Sequence, residues 1–219
     1  NEYDENNEKA IIEKGLQNLK KHISNMKNFG LNIIVAINKF ENDNEEELEF
    51  LKQEIKKECD VSILDNWKNG SEGSSEFAKK LAQICENSKE ENQEDVKYTY
   101  NLEDTIEEKI EKIVTKIYGA EGVEYSKDAA NDIKKLQEDE NAKIAPICMA
   151  KTQYSLTDDP KKIGVYSNFK IHVQSIEYKA GAEFIVAKTG KIMTMPGLPR
   201  NPASEKIDID KDGNIIGIF

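Results

Sequence analysis

The run Leu31-Asn-Ile-Ile-Val-Ala-Ile-Asn-Lys-Phe40 constrains the fold more than any other stretch of this chain. Its block of Ile and Val is too short to cross a bilayer and reads as a strand buried on both faces, as strands in parallel sheets are. Amphipathic patterns flank it. Ile12, Leu16, Leu19, Ile23 and Met26 recur at steps of three and four over residues 8–29, and Leu48, Leu51, Ile55 and Cys59 do so after the polar turn at 41–45. Helix, strand, helix is the repeating unit of an open α/β sheet, with this strand expected at its centre. Ligands in such sheets bind beyond the carboxyl ends of the strands, so Asn38, Lys39 and Phe40 should leave the core at the ligand-facing edge.

A second, short strand is expected at 61–64. It leads into Trp67-Lys-Asn-Gly70-Ser-Glu-Gly73-Ser, a loop with two glycines, and then into a helix over 75–87 with Phe77, Leu81 and Ile84 inward. Residues 88–95 form a charged connector. Leu102, Ile106, Ile110, Ile113 and Ile117 supply another helical stripe that Gly119 and Gly122 break, and Ser126 is placed to cap a helix carrying Ala129, Ile133 and Leu136. The next strand is expected at 144–150, where Pro146 suits a sheet edge or a strand start. Short strands at 170–177, 183–187 and 192–195, a turn at Thr189-Gly190-Lys191, and a hairpin over 206–219 around Asp212-Gly213 make the end of the chain richer in β-structure. The expected class is α/β, a mostly parallel sheet with flanking helices.

A formal charge of −11 argues against non-specific binding to nucleic acid or to an anionic membrane surface. Three cysteines, Cys59, Cys85 and Cys148, have no CxxC spacing; the odd count suits a reducing cytosol, and each reads as a small buried apolar residue. His22 and His172 stand too far apart, without a nearby ligand pair, to suggest zinc, and read as structural or surface residues. The sequence shows no signal peptide or membrane span, so a cytoplasmic protein is expected. Asn1 in place of an initiator methionine suggests a piece of something longer.

If the strands near Ile33 and Ile63 are parallel and joined by the intervening helix, a right-handed crossover brings both carboxyl ends to one edge. Phe40 and Trp67 then emerge close together, either as a clamp for a flat heterocycle or as covers for helix ends. Asn38-Lys39-Phe40-Glu41 resembles the guanine-reading NKxD box, but its fourth residue is Glu, and no G-x-x-x-x-G-K-[ST] loop accompanies it. Asp208-Ile-Asp210-Lys-Asp212-Gly213 copies the start of an EF-hand loop, yet the twelfth position is Phe219, and a hairpin is the better reading. Lys151, Thr152, Gln153 and Tyr154 follow a strand and are candidates for the same ligand edge, or else turn and capping residues. Met195, Pro196 and Gly197 lie in a Pro-stiffened turn suited to lining a pocket or to turning a corner.

VAINKF, the Trp67 loop, ICMAKTQYSLTDDP, GAEFIVAKTGKIMTMPGLPRNPASEKIDID and the closing DGNIIGIF together resemble the C-terminal part of formate–tetrahydrofolate ligase, also called formyltetrahydrofolate synthetase. The likeness is most specific over 147–160 and 189–210, and loosest over 88–141. It implies a P-loop-like ligase architecture, in which residues 1–38 are the last helix and strand of a nucleotide-binding domain and residues 39–219 form a folate-side domain. The implied reaction joins formate to tetrahydrofolate through formyl phosphate, with ATP, Mg2+ and a monovalent cation. The family's phosphate loop is not in these residues, so the piece alone should be inactive. By the same resemblance Phe40 and Trp67 are the aromatics that sandwich the pterin, Glu41 departs from the Pro expected after that Phe, and Lys151–Tyr154 and Met195–Gly197 line the cleft. A homo-oligomer is expected. The competing readings are an isolated folate-binding module without synthetase activity, and an oligomerisation module whose aromatics serve as core.

Overall fold

The computed structural model describes residues 5–90, 96–190 and 200–217. Two cores organise them. The first is built from α1 (Glu5–Asn28), β1 (Ile34–Asn38), α2 (Glu45–Lys56) and β2 (Asp60–Leu64). β1 and β2 pair in parallel, Asn38 opposite Leu64, with α2 as the crossover. Alternation along the strands sends Val35, Ile37, Val61 and Ile63 to the face that packs on Leu16, Leu48 and Ile55 of the two helices. Asn44 starts α2 by accepting the Glu46 amide at 2.8 Å, and three glutamates in the first turn suit the positive end of the helix dipole.

β1 is not the doubly buried central strand that its composition suggests. In these residues it has one partner, and Ala36 and Asn38 on its second face are exposed. The helix α4 (Ser75–Glu90) lies against β2 instead, where Ser62 is fully buried and Lys80 Nζ donates to the Val61 carbonyl at 2.9 Å. A sheet two strands wide offers α4 little to cover, which is why Leu81, expected inward, is exposed. Two cysteines also depart from expectation: Cys85 and Cys148 are exposed, on the open side of α4 and on an edge strand, and Cys59 is half-buried.

The second core is a four-stranded mixed sheet in the order β3-β5-β6-β4, from β3 (Gly122–Tyr125), β4 (Ile147–Ala150), β5 (Lys170–Lys179) and β6 (Phe184–Thr189). β3 with β5 and β4 with β6 are parallel, whereas β5 and β6 are antiparallel. α5 (Ile106–Ile113) and α6 (Lys127–Gln137) pack on it through Ile106, Ile110, Ala129 and Ile133. Pro146 immediately precedes β4, and β4 is an edge strand, as a residue without an amide proton requires.

The helix expected to begin near Leu102 starts at Ile106, because Thr105 and Glu108 form a capping box that satisfies the first orphan amides; Leu102 is left exposed in the preceding turn. A π-helical turn over Val114–Tyr118 ends at Gly119 in the left-handed region, and β3 follows, a short strand that opens on Gly122, a residue the sequence reading takes only as a helix breaker. The terminal hairpin pairs β7 (Asp208–Ile209) with β8 (Ile215–Ile216). The Asp210 carboxylate accepts the amides of Asp212 and Asn214, so the EF-hand-like pattern closes a turn. Asn25 and Lys21 of α1 join the two cores by donating to the carbonyls of Ile117 and Lys116. Among the described residues, no helix is long and apolar enough to cross a membrane.

Candidate functional site

The parallel register carries both chains out at one rim. Beyond Asn38 and Leu64 the ladder adds one more bond, from the Lys39 amide to the Leu64 carbonyl at 2.8 Å, so Phe40 and Trp67 start from paired backbone. Phe40 is held by a closed turn. Its amide donates to Asp43 Oδ2 at 2.8 Å and its carbonyl accepts the Asp43 amide at 3.2 Å. Those two bonds supply the stiffness that a proline at position 41 would otherwise give.

Trp67 rides on α3 (Asn66–Asn69), a single turn where a loop was expected, followed by a 3-10 turn over Gly70–Ser74. This hairpin of backbone is pinned at its base. The Asp65 amide donates to the Gly73 carbonyl at 3.1 Å, the Asp65 carbonyl accepts the Asn69 amide at 3.0 Å, and Gly70 turns the chain at φ +56°. Gly73 packs flat on the Asp65 peptide: a Cβ there would stand 2.2 Å from the Asp65 oxygen. Only glycine fits so close an approach.

Phe40 is 62 % exposed and Trp67 88 %. Exposure this large in two aromatics on ordered turns signals a surface meant to be covered. Both side chains line two clefts at the rim, one of about 310 Å³ that also takes in Lys39, Asp65 and Lys68, and one of about 610 Å³ that takes in Asn38, Asn42 and Asn66. Lys39 is ion-paired with Glu45, and that hydrogen bond is the main cause raising its pKa above the ordinary lysine value. Asp65 and Lys68 were not singled out from the sequence. Their signal is positional, since both follow the end of β2 directly.

The four residues from Lys151 to Tyr154 are brought together elsewhere, beyond the end of β4, and line neither cleft. Lys151 Nζ donates to the carbonyls of Thr152 and Ser155 and lies 5.2 Å from the centroid of the Tyr118 ring. Its partial burial lowers its pKa, and burial pushes the Tyr118 hydroxyl up to about 12. Thr152 Oγ1 accepts the Tyr154 amide, while Gln153 and Tyr154 face solvent. His172, taken as structural or surface, bridges two carboxylates: Nδ1 is 2.8 Å from Asp158 Oδ2 and Nε2 is 3.3 Å from Glu124 Oε2. Met195, Pro196 and Gly197, and the strand expected at 192–195, lie outside the described residues.

Among the described residues, no group of three or more His, Cys, Asp or Glu side chains could hold a metal ion. At the rim, two exposed aromatics share the lining of both clefts with carboxylates and side-chain amides that can accept and donate hydrogen bonds. The family model for formate–tetrahydrofolate ligase matches residues 1–219, the full length of the sequence, and the chain belongs to that family.

Proposed function

We propose that, within the ligase reaction of its family, this chain seats tetrahydrofolate, with the pterin stacked between Phe40 and Trp67. The observation that supports this best is the shared lining of the two clefts by both aromatics at the carboxyl ends of a parallel strand pair. Family membership makes ATP and tetrahydrofolate substrates. Formate needs activation because its oxygen is a poor leaving group; as formyl phosphate it can pass the formyl carbon to a folate nitrogen and release phosphate. On this reading the chain's own residues bind and orient the acceptor.

The electrostatics of the rim favour a division of labour. Two lysines and four carboxylates line the smaller cleft, a formal −2 that opposes a polyphosphate and suits a neutral ring. The 219 residues contain no G-x-x-x-x-G-K-[ST] loop, so we assign ATP, Mg2+ and the monovalent cation to residues other than these, and expect these residues alone not to turn over. In the same proposal residues 1–38 belong with the nucleotide-binding part and 39–219 with the folate side.

Trp67 is the sole tryptophan, so its fluorescence reports the clamp directly. Titration with tetrahydrofolate should quench it, and Phe40→Ala should weaken binding by about 5- to 150-fold, the equivalent of one ring face worth about 1–3 kcal/mol. Unchanged emission at saturating ligand, or equal affinity in Phe40→Ala, would remove the clamp.

A further inference from the structure

We propose that a cleft on the segment joining the two cores is an aromatic cage for a small alkylammonium cation, whose head group sits against the rings of Phe29, Tyr98 and Tyr100 with the Glu103 carboxylate as counter-charge. The cleft shares no lining residue with the two at the Phe40–Trp67 rim.

Residues 96–104 carry the chain from the first core towards the second, and bonds fix them at each step. The Lys97 amide donates to the Phe29 carbonyl at 3.0 Å, Lys116 Nζ to the Thr99 carbonyl at 3.1 Å, and the Ile147 amide to the Tyr100 hydroxyl at 2.9 Å. Asn101 and Asp104 close a turn, with the Asn101 amide on Asp104 Oδ2 at 2.9 Å and the Asp104 amide on the Asn101 carbonyl at 3.2 Å. Walls held in this way need little ordering when a ligand arrives. The cleft they bound measures about 620 Å³, a size that suits a small molecule, and it lies between two cores, where such sites concentrate.

The lining leaves aromatic and charged groups unused. Tyr98 is 84 % exposed and Leu102 47 %. Among the described residues, neither the Tyr98 hydroxyl nor the Glu103 carboxylate takes part in a hydrogen bond or an ion pair. Glu103 is also the one charged residue in the lining, with no lysine, arginine or histidine beside it among the described residues. Lysines around the segment are engaged elsewhere: Lys116 on the Thr99 carbonyl, Lys112 on Asp104, and the fully buried Lys109 on the carbonyls of Lys143 and Ala145. Phe29 follows directly on the 24-residue α1, so the negative end of that helix dipole adds to the field.

These features select a cation, and one of a particular kind. A metal ion would find one carboxylate where hard cations take six or more oxygens. An alkylated ammonium is weakly hydrated, gains from the electron-rich faces of aromatic rings, and presents methyl groups to Leu102 and Pro146.

Choline is the probe, and its neutral isostere neopentyl carbinol, with carbon in place of the charged nitrogen, is the comparison. Both are titrated into the isotope-labelled full chain at matched ionic strength and followed by amide shifts. Choline should shift residues 98–103 saturably and bind about 5- to 30-fold more tightly than the alcohol, the range of a partly desolvated cation–π contact. Tyr98→Ala should weaken choline by about 5-fold or more, whereas Tyr98→Phe should match the unaltered protein, because the ring and not the hydroxyl holds the cation. Glu103→Gln should lower the preference for choline by about 2- to 5-fold, the worth of a partly exposed charge pair. Equal affinity of the unaltered protein for the two probes overturns the inference before any variant is made. So does a choline response at the Trp67 indole in place of residues 98–103, no saturable response at all, unchanged affinity in Tyr98→Ala, or an unchanged preference in Glu103→Gln.

Discussion

Gly73→Ala should disable the cleft while leaving both cores intact. The added methyl would stand 2.2 Å from the Asp65 carbonyl oxygen, 2.4 Å from its carbon and 3.0 Å from the Asn66 nitrogen. All three are backbone atoms and cannot swing aside, so the peptide must retreat by about 1 Å or more to reach ordinary contact. Keeping the Asp65–Gly73 hydrogen bond means accepting about 1–3 kcal/mol of overpacking, whereas opening the loop sacrifices about 1 kcal/mol of net hydrogen bonding. The loop is exposed and outside both apolar clusters, so opening wins. Unfolding free energy in urea should therefore fall by only about 1–2 kcal/mol. Tetrahydrofolate affinity should fall by about 10-fold or more, because a shift of this size takes Trp67 out of stacking range. Gly15→Ala is the control: nothing lies within 4 Å of its Cβ on α1, and the same substitution there should stabilise by about 0.5–1 kcal/mol. A Gly73→Ala protein with the original affinity and unchanged Trp67 emission would refute the geometry of the loop.

Thr105→Ala removes the capping box of α5 and should lower the unfolding free energy by about 1 kcal/mol in urea; a change within error would mean that the cap is supplied otherwise. His172→Ala removes the side-chain bridge between β5 and Asp158, leaving only the His172 amide on that carboxylate, so amide hydrogen exchange over 155–162 should accelerate; equal rates would show that the loop holds itself. Acid should destabilise the fold. Asp104 is held below the ordinary carboxylate range by Lys112, Glu108 by the Thr105 amide, Glu124 by Lys170 and Asp139 by the Ala142 amide. Folded pKa values below unfolded ones mean that this stabilisation is complete above the unfolded range near about 4 and is lost as pH falls through the folded values. Thermal midpoints should hold between about pH 5 and 7 and then decline, and a flat profile down to pH 3 would contradict these contacts.

The elements that periodicity can describe were legible in the chain itself. The stripes of α1, α2 and α6, the apolar run of β1, the Pro146 edge and the Asp-Gly turn are each set by neighbours a few residues away, so local spacing carries them. The emergence of Phe40 and Trp67 at one rim was also legible, because a parallel pair joined by one helix leaves few alternatives. Elements whose identity depends on distant partners were not. β3 is a strand because β5 is there to pair with it, and β1 has an open face because the residues described supply only β2 beside it.

The order of residues alone thus determined the helices and strands whose signal is local, which aromatics leave the core together, and, through its motifs, the family. Only the tertiary structure decided that the Trp67 loop folds back on Asp65, that Asp43 ties the Phe40 turn, and that Lys151–Tyr154 turn in on themselves away from the two clefts. The physical reason is range. Secondary structure follows from interactions within one turn or along one strand, whereas the direction of an exposed side chain is set by hydrogen bonds and close approaches that exist only after the chain has folded back on itself.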